Sequence, residues 1–187
     1  MPPESPKKSS RISRLRRPAV MVFAAGLLLC LLVVLAGTAV LRASLPRLEG
    51  VLKIQGLRAP VRLERDALGT VTISGRHRED LAFATGFIHG QERFFQMDLM
   101  RRRAAGELAA LLGEQAVGAD RQARVHRFRD LARKVVESAL PSERRLLEAY
   151  RRGVTAGLAD LGARPFEYIV LRQTPRPWQM EDSVLGL

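Results

Sequence analysis

The sequence predicts an α+β fold that is rich in helix and preceded by one transmembrane helix. Three observations lead there. A long uncharged apolar run lies near the N-terminus, a strand-turn-strand pattern follows it, and from Asp80 onward apolar residues recur at helical spacing.

The apolar run is Ala19 to Leu41, AVMVFAAGLLLCLLVVLAGTAVL, with 23 residues and no charge. At the rise of an α-helix it extends roughly 34 Å, enough for the hydrocarbon core of a bilayer. A cleavable export signal has the same polarity, but its apolar core runs about 7–15 residues and ends at a small-residue cleavage site. This run is longer and no such site follows it, so it reads as an uncleaved signal anchor. Lys7, Lys8, Arg11, Arg14, Arg16 and Arg17 precede it against a single Glu4, and positive charge stays on the cytoplasmic side. The expectation is a single-pass protein of the inner (cell) membrane with the lipid bilayer as a partner. Residues 1–18 form its cytoplasmic tail, 19–41 its anchor and 42–57 a juxtamembrane connection. Residues 58–187 are then periplasmic or otherwise outside the cytoplasm.

The formal net charge of +12 has to be apportioned before it bears on partners. Six of the 31 basic residues lie in the tail and Arg42 borders the apolar run, which leaves 24 against 18 acids beyond it. About half the excess is therefore topology signal, and the remaining arginines alternate with acids as on a solvated helix face. No zinc-finger spacing, helix-turn-helix pairing or aromatic-basic interleaving is present, so nucleic acid is excluded as a partner. Cys30 is the only cysteine and lies inside the apolar run. No intrachain disulfide can form, and the exported part must be held by packing or by a partner.

Each element beyond the anchor has a local reason. Residues 43–57 carry Pro46, Gly50 and Gly56 with a short alternation at Leu52 and Ile54, which predicts the start of the sheet. Val61, Leu63 and Arg65 alternate with Arg62 and Glu64, Asp66-Ala67-Leu68-Gly69 reads as a turn, and Thr70 to Ile73 returns, giving a hairpin with one buried face. Asp80 opens a helix with Leu81, Ala84, Phe87, Ile88, Phe94, Phe95 and Leu99 on its apolar stripe, and Gly86 and Gly90 argue against one continuous rod. Gly106 breaks this run, and Glu107 to Leu112 forms a short helix that Gly113 caps. A second long helix carries Val125, Phe128, Ala132, Val135, Val136 and Ala139 until Pro141 ends it. Ser142 caps a third, with Leu146, Leu147, Tyr150, Val154 and Leu158 on one side. From Pro165 the prolines and Trp178 predict an extended traverse, and Glu181 and Asp182 open a last helix. One hairpin and several amphipathic helices leave apolar faces without an opposing layer. The chain is expected to be structurally incomplete by itself.

No residue is assigned a catalytic, cofactor-binding or metal-binding role. His89 and Glu92 in HGQER lack the second histidine, four residues away, that a zinc hydrolase helix requires. His77 and His126 stand apart from them, Ser74 and Ser142 lack a nucleophile-elbow context, and Ser142 is explained as a cap. Arg93, Asp98 and Arg101 are expected to form buried or half-buried ion pairs. Phe94, Phe95 and Met97 are expected to be core, and Asp98 and Arg102 sit at the favourable helical spacing.

Anchors spread over the whole exported part carry a resemblance. They are Ala59-Pro60-Val61, Arg65-Asp66, Gly69 and Ile73, then Gly86-Phe87, His89, Gln91, Arg93, Phe95-Gln96-Met97-Asp98, Arg101, Arg102 and Gly106. Ala149-Tyr150, Gly153-Val154, Pro165, Glu167, Pro175, Pro177-Trp178 and Asp182 continue the series. In this order and spacing they resemble the first chain of the penicillin acylase family of N-terminal-nucleophile hydrolases. The resemblance implies that these residues are the helix-rich N-terminal portion of an αββα sandwich. It also implies that the catalytic Ser, its own α-amino base and the oxyanion donors lie on a downstream catalytic chain cut from the same precursor. The residues of a structural calcium site in the full-length protein would lie there too, with no cofactor held within this chain. The implied reaction is hydrolysis of a non-peptide amide in a small-molecule N-acyl substrate: a β-lactam acyl side chain, an acyl-homoserine lactone or a related amine. This chain alone is then expected to be inactive. The alternatives are a membrane-tethered scaffold or binding module without chemistry, or a truncated remnant.

Overall fold

A computed structural model describes residues 11–186 and divides the chain after Arg42 into two compact units. The basic residues Lys7 and Lys8 of the expected tail lie outside the described residues. The first unit is carried by helix α1, Arg11–Ala43, whose stretch Val20–Ala43 is long and apolar enough to cross a membrane. Helix α1 begins within the stretch read from sequence as the tail.

The second unit holds two short strands, β1 (Arg62–Arg65) and β2 (Val71–Ser74), paired antiparallel with Leu63 opposite Ile73 and Arg65 opposite Val71. The Asp66 carboxylate closes the turn by accepting the N–H groups of Leu68 and Thr70, and Gly69 takes φ 82°. That conformation favours glycine. The expected buried face is not there: β1 is exposed throughout, and in β2 only Val71 and Ile73 are half-buried. Leu52 and Ile54 do not start the sheet either. They lie in irregular chain and pack, with Leu57, against Phe83, Phe87 and Ala149.

The helices that follow are α2 (Arg78–Glu92), α3 (Phe94–Ala105), α4 (Ala109–Leu112) and, after a 3-10 turn at Glu114–Ala116, α5 (Val117–Arg124). Then come α6 (Phe128–Ser138), α7 (Pro141–Asp160), α8 (Phe166–Val170) and α9 (Met180–Leu185). Several boundaries differ from the sequence expectation for identifiable reasons. Helix α2 starts at Arg78, two residues earlier than expected, and the Asp80 carboxylate accepts the N–H groups of Arg58 (2.9 Å) and Ala59 (3.1 Å) instead of capping it. The break in the expected rod falls at Arg93, while Gly86 and Gly90 stay helical. Gly106, at φ 70°, caps α3 by donating to the carbonyls of Arg102 and Arg103. Helix α5 was not foreseen, and it is separated from α6 by Arg127 at φ 52°. Its Asp120 is buried and caps α4 through the N–H groups of Leu108 and Ala109, each at 2.8 Å. Pro141 opens α7 at its first position, where its missing N–H costs nothing. The cap is made by Glu143, which accepts the N–H of Leu140 at 3.0 Å, and not by Ser142. Helix α8 interrupts the expected extended traverse.

One crossing organises this unit. Helices α2 and α7 each present two glycines four residues apart, Gly86 and Gly90 against Gly153 and Gly157. A Cβ on any of the four would fall inside the opposing backbone: that of Phe83 for Gly153, of Phe87 for Gly157, of Tyr150 for Gly86 and of Val154 for Gly90. The two backbones therefore lie in direct contact. Beside the seam Phe83, Phe87 and Ala149 form one buried cluster, and Phe94, Leu111, Val154, Tyr168 and Trp178 form a second. Burying each large side chain contributes about 1.5–3 kcal/mol. The exposed edge of α6 carries Phe128, Leu131 and Val135, and of its expected apolar face only Ala132 and Val136 are fully buried. Val125, expected on that face, is 78% exposed.

The crossing generates a prediction. Gly157→Ala places a methyl group against the Phe87 carbonyl and should destabilise the protein by about 1–3 kcal/mol, as overpacking does. Gly118→Ala on α5 meets nothing within 4 Å and should stabilise by about 0.5–1 kcal/mol. Urea midpoints of the two variants displaced in the same direction would contradict this packing.

Candidate functional site

The densest chemistry in the unit is a buried charge network joining α3, α6 and α9. Helix α3 places Asp98, Arg101 and Arg102 at spacings of three and four, so all three project to one side. Asp98 is fully buried. Its Oδ1 accepts Arg101 Nε (2.7 Å) and Arg102 Nε (2.9 Å), and its Oδ2 accepts the Tyr168 hydroxyl (2.6 Å). Arg101 then reaches across to Asp182 and donates to the carbonyls of Pro177 and Arg176, each at 3.2 Å. Its guanidinium lies over the Trp178 ring, 5.1 Å from the centroid. Asp182, also fully buried, accepts the Gln179 N–H at 2.8 Å and Arg129 Nη1 at 2.5 Å. Arg129 grips Glu107 with two further N–H groups at 3.1 and 2.9 Å.

Both oxygens of both aspartates are engaged by donors from within the unit, three to each carboxylate. A buried carboxylate is tolerated only when it is paired and hydrogen-bonded, and the planar guanidinium, with five fixed donors, serves several acceptors at once. Burial, followed by the bond to Asp98, pushes the Tyr168 hydroxyl far above its ordinary range, so it serves as a fixed donor. The chemistry available here is positioning: the network fixes the start of α9 against α3 and α6.

Of the expected ion-pairing residues, Asp98 and Arg101 do meet in the buried network, whereas Arg93 is exposed at the α2–α3 break and takes no part. Glu107, Arg129 and Tyr168 were missed. Nothing local marks them, since their partners lie 22 to 70 residues away. Phe94 is core, 1% exposed, with Phe95 and Met97 packed against its cluster.

The three histidines are not brought together. His77 precedes α2 and is exposed, and His126 is exposed and stacked on Phe128 with ring centroids 5.2 Å apart. His89 is half-buried on the α2–α7 seam, its Nδ1 2.9 Å from the Tyr150 hydroxyl. Burial, aided by the positive charge of Arg93 and opposed by Glu92, holds its pKa below the ordinary histidine value, and burial pushes Tyr150 up to about 12. At neutral pH the bond therefore joins an uncharged imidazole to an uncharged hydroxyl, its direction set by the ring's tautomer. Glu92 pairs with Arg65 of β1, and Ser74 and Ser142 are exposed. Among the described residues no three of His, Cys, Asp and Glu converge to hold a metal.

Two predictions follow from the network and the seam. Asp182→Asn leaves two guanidiniums short of a buried charge partner and should destabilise by about 3–5 kcal/mol, read as a fall in thermal midpoint. An unchanged midpoint would mean that Arg101 and Arg129 find other partners. Because the folded pKa of His89 is depressed, its contribution to stability is fully present above the unfolded value of 6.5 and is lost as pH falls through the folded pKa. Stability should therefore drop on acidification just below 6.5, and the drop should shrink in His89→Gln. An identical pH profile in parent and variant would remove His89 as its source.

Comparison with known proteins bears on the whole of the second unit. A family model described as penicillin amidase matches residues 60–187. The penicillin acylase 2 proenzyme of Pseudomonas sp. (strain SE83) is 40% identical over 144 residues, covering 77% of this chain and 19% of that protein. The acyl-homoserine lactone acylase QuiP of Pseudomonas putida is 35% identical over 153 residues, covering 76% of this chain and 18% of that protein. Among solved structures, the thermostable penicillin G acylase from Alcaligenes faecalis superposes with a TM-score of 0.61 at 27% identity, over 68% of this chain and 69% of that one. The chain spans about a fifth of the length of the curated relatives it matches. With the match running from the hairpin through α9, this chain belongs to the penicillin amidase family.

Proposed function

We propose that this chain is the first-chain portion of a membrane-anchored acylase, which in its full-length form hydrolyses non-peptide amide bonds of N-acyl compounds. The observation that carries the reading is the family match from Pro60 through α9, with acylases among the relatives at 30% identity or better. Both a penicillin acylase and acyl-homoserine lactone acylases stand among them, so the substrate class proposed is an acyl group on the nitrogen of a small amine.

In this proposal the nucleophilic Ser and its α-amino base belong to a later segment of the same precursor, and the present residues form part of an αββα sandwich with it. Support comes from the state of the polar groups here. Asp98 and Asp182 each accept three donors from this unit, His89 is bonded to Tyr150, and Ser183 accepts the Trp178 indole N–H at 3.0 Å. The hairpin and the Phe128, Leu131, Val135 edge are exposed, as expected of faces that a further layer would cover. Membrane anchoring and an external position for the second unit rest on α1 and on the basic residues preceding its apolar stretch.

The test is acyl release from a panel of chromogenic N-acyl amides, measured for this chain alone and for the chain co-produced with the later segment. Turnover is expected only with both. Turnover by this chain alone, abolished in His89→Ala, would overturn the assignment. A phosphatase reporter fused after Gly113 should be active in a bacterial host, and a silent fusion would reverse the proposed topology.

A further inference from the structure

A cleft of about 460 Å3 lies where the connection carrying Gly56 and Arg58 meets the first turn of α2 and the first three turns of α7. Its charged lining is Arg58, Arg144, Arg145 and Arg152 together with Glu79, Asp80 and Glu148. The carboxylates are already engaged. Asp80 is buried and takes the N–H groups of Arg58 and Ala59. Glu148 is held by Nε and Nη2 of Arg151 at 2.8 and 2.6 Å. Glu79 meets Arg145 at 3.5 Å and feels the charge of Arg58 without bonding to it.

The cations are less satisfied. Arg144 donates one N–H to the Val136 carbonyl at 3.2 Å, while Arg58 and Arg152 form no ion pair among the described residues. The Arg152 guanidinium lies over the Phe83 ring, 5.9 Å from its centroid, which steadies its plane and leaves its N–H edge unused. Gly56 admits it: at φ 107° this residue carries no side chain, and a Cβ there would stand 3.1 Å from Arg152 Nη1. Three arginines with spare donors thus line one concavity, whose uncharged wall is Gly56, Ala139 and Pro141.

A guanidinium fork matches two oxygens of an oxyanion, and such charge-assisted pairs are the strong ones. A carboxylate offers two oxygens and occupies one fork, whereas a phosphate group offers enough to meet three. We propose that this cleft binds a phosphate group, carried either by a small phosphorylated solute or by the headgroup of an anionic phospholipid. Its volume falls within the roughly 300–1,000 Å3 of small-ligand sites. The proposal stands independently of the acylase reading.

The experiment uses the full-length protein in neutral detergent, titrated calorimetrically with inorganic phosphate at low salt. Saturable binding is expected, weakened about tenfold or more in the double variant Arg58→Gln/Arg152→Gln, which removes two forks. Arg152→Lys keeps the charge and loses the fork, and should fall between. Arg103→Gln, at an exposed arginine elsewhere, should bind as the parent does. A second arm places the protein in nanodiscs of phosphatidylcholine with or without phosphatidylglycerol. If the source is lipid, phosphatidylglycerol should raise the thermal midpoint of the parent and not of the double variant, and if it is a solute only inorganic phosphate should do so. Should the double variant lose its helical circular dichroism, the parent and Arg152→Lys decide by their phosphate-dependent shifts in midpoint. No saturable binding, or equal affinity in parent and variants, overturns the proposal.

Discussion

The folded part depends on one contact, the backbone-to-backbone crossing of α2 and α7. Four glycines make it possible, and each faces a peptide group of the opposite helix. At this separation glycine Cα–H groups meet carbonyl oxygens directly, a weak interaction of about 0.5–1 kcal/mol each that recurs along such seams. The closeness has consequences on both sides. It brings Phe83 and Phe87 onto Ala149, it seats His89 against Tyr150, and it lets Gln91 Nε2 donate to Asp160 at 2.9 Å. Any wider crossing would open these contacts together, because interiors this dense do not yield continuously.

The buried charge network works at longer range. Asp98 and Asp182 are separated by more than eighty residues, yet a single guanidinium, that of Arg101, serves both. Burying two carboxylates is costly, so the arrangement holds only if they are paired and hydrogen-bonded. Tyr168, Gln179, Arg102 and Arg129 supply the further donors. The geometry makes Arg101 irreplaceable by Lys, which would bring a point charge and no fork to the two aspartates, the two carbonyls and the Trp178 face. A network of this kind secures where α9 begins.

In the proposed acylase these two devices have distinct duties. The glycine seam holds α2 against α7, and the charge network holds the start of α9 against α3 and α6. The hairpin and the exposed edge of α6 remain surfaces for a further layer. The arginine-lined cleft belongs to neither device, since its cations are left with donors unused.

The sequence by itself determined what local periodicity and chain chemistry control. The apolar helix, the Asp66-Gly69 turn and the existence of the long helices were legible because their causes lie within a few residues. The family, too, was legible in the ordered anchors from Ala59 to Asp182. The tertiary structure decided what depends on partners far along the chain. Gly86 and Gly90 read locally as helix breakers, and only the presence of α7 turns them into the points of closest approach. Arg93 and Arg101 look equivalent in sequence, and only the fold buries one and exposes the other. Ser142 looks like a cap, but Pro141 begins the helix and Glu143 reaches back to close it. A residue's propensity is a sum over near neighbours, whereas burial and hydrogen-bond satisfaction are set by whatever segment arrives across the interface.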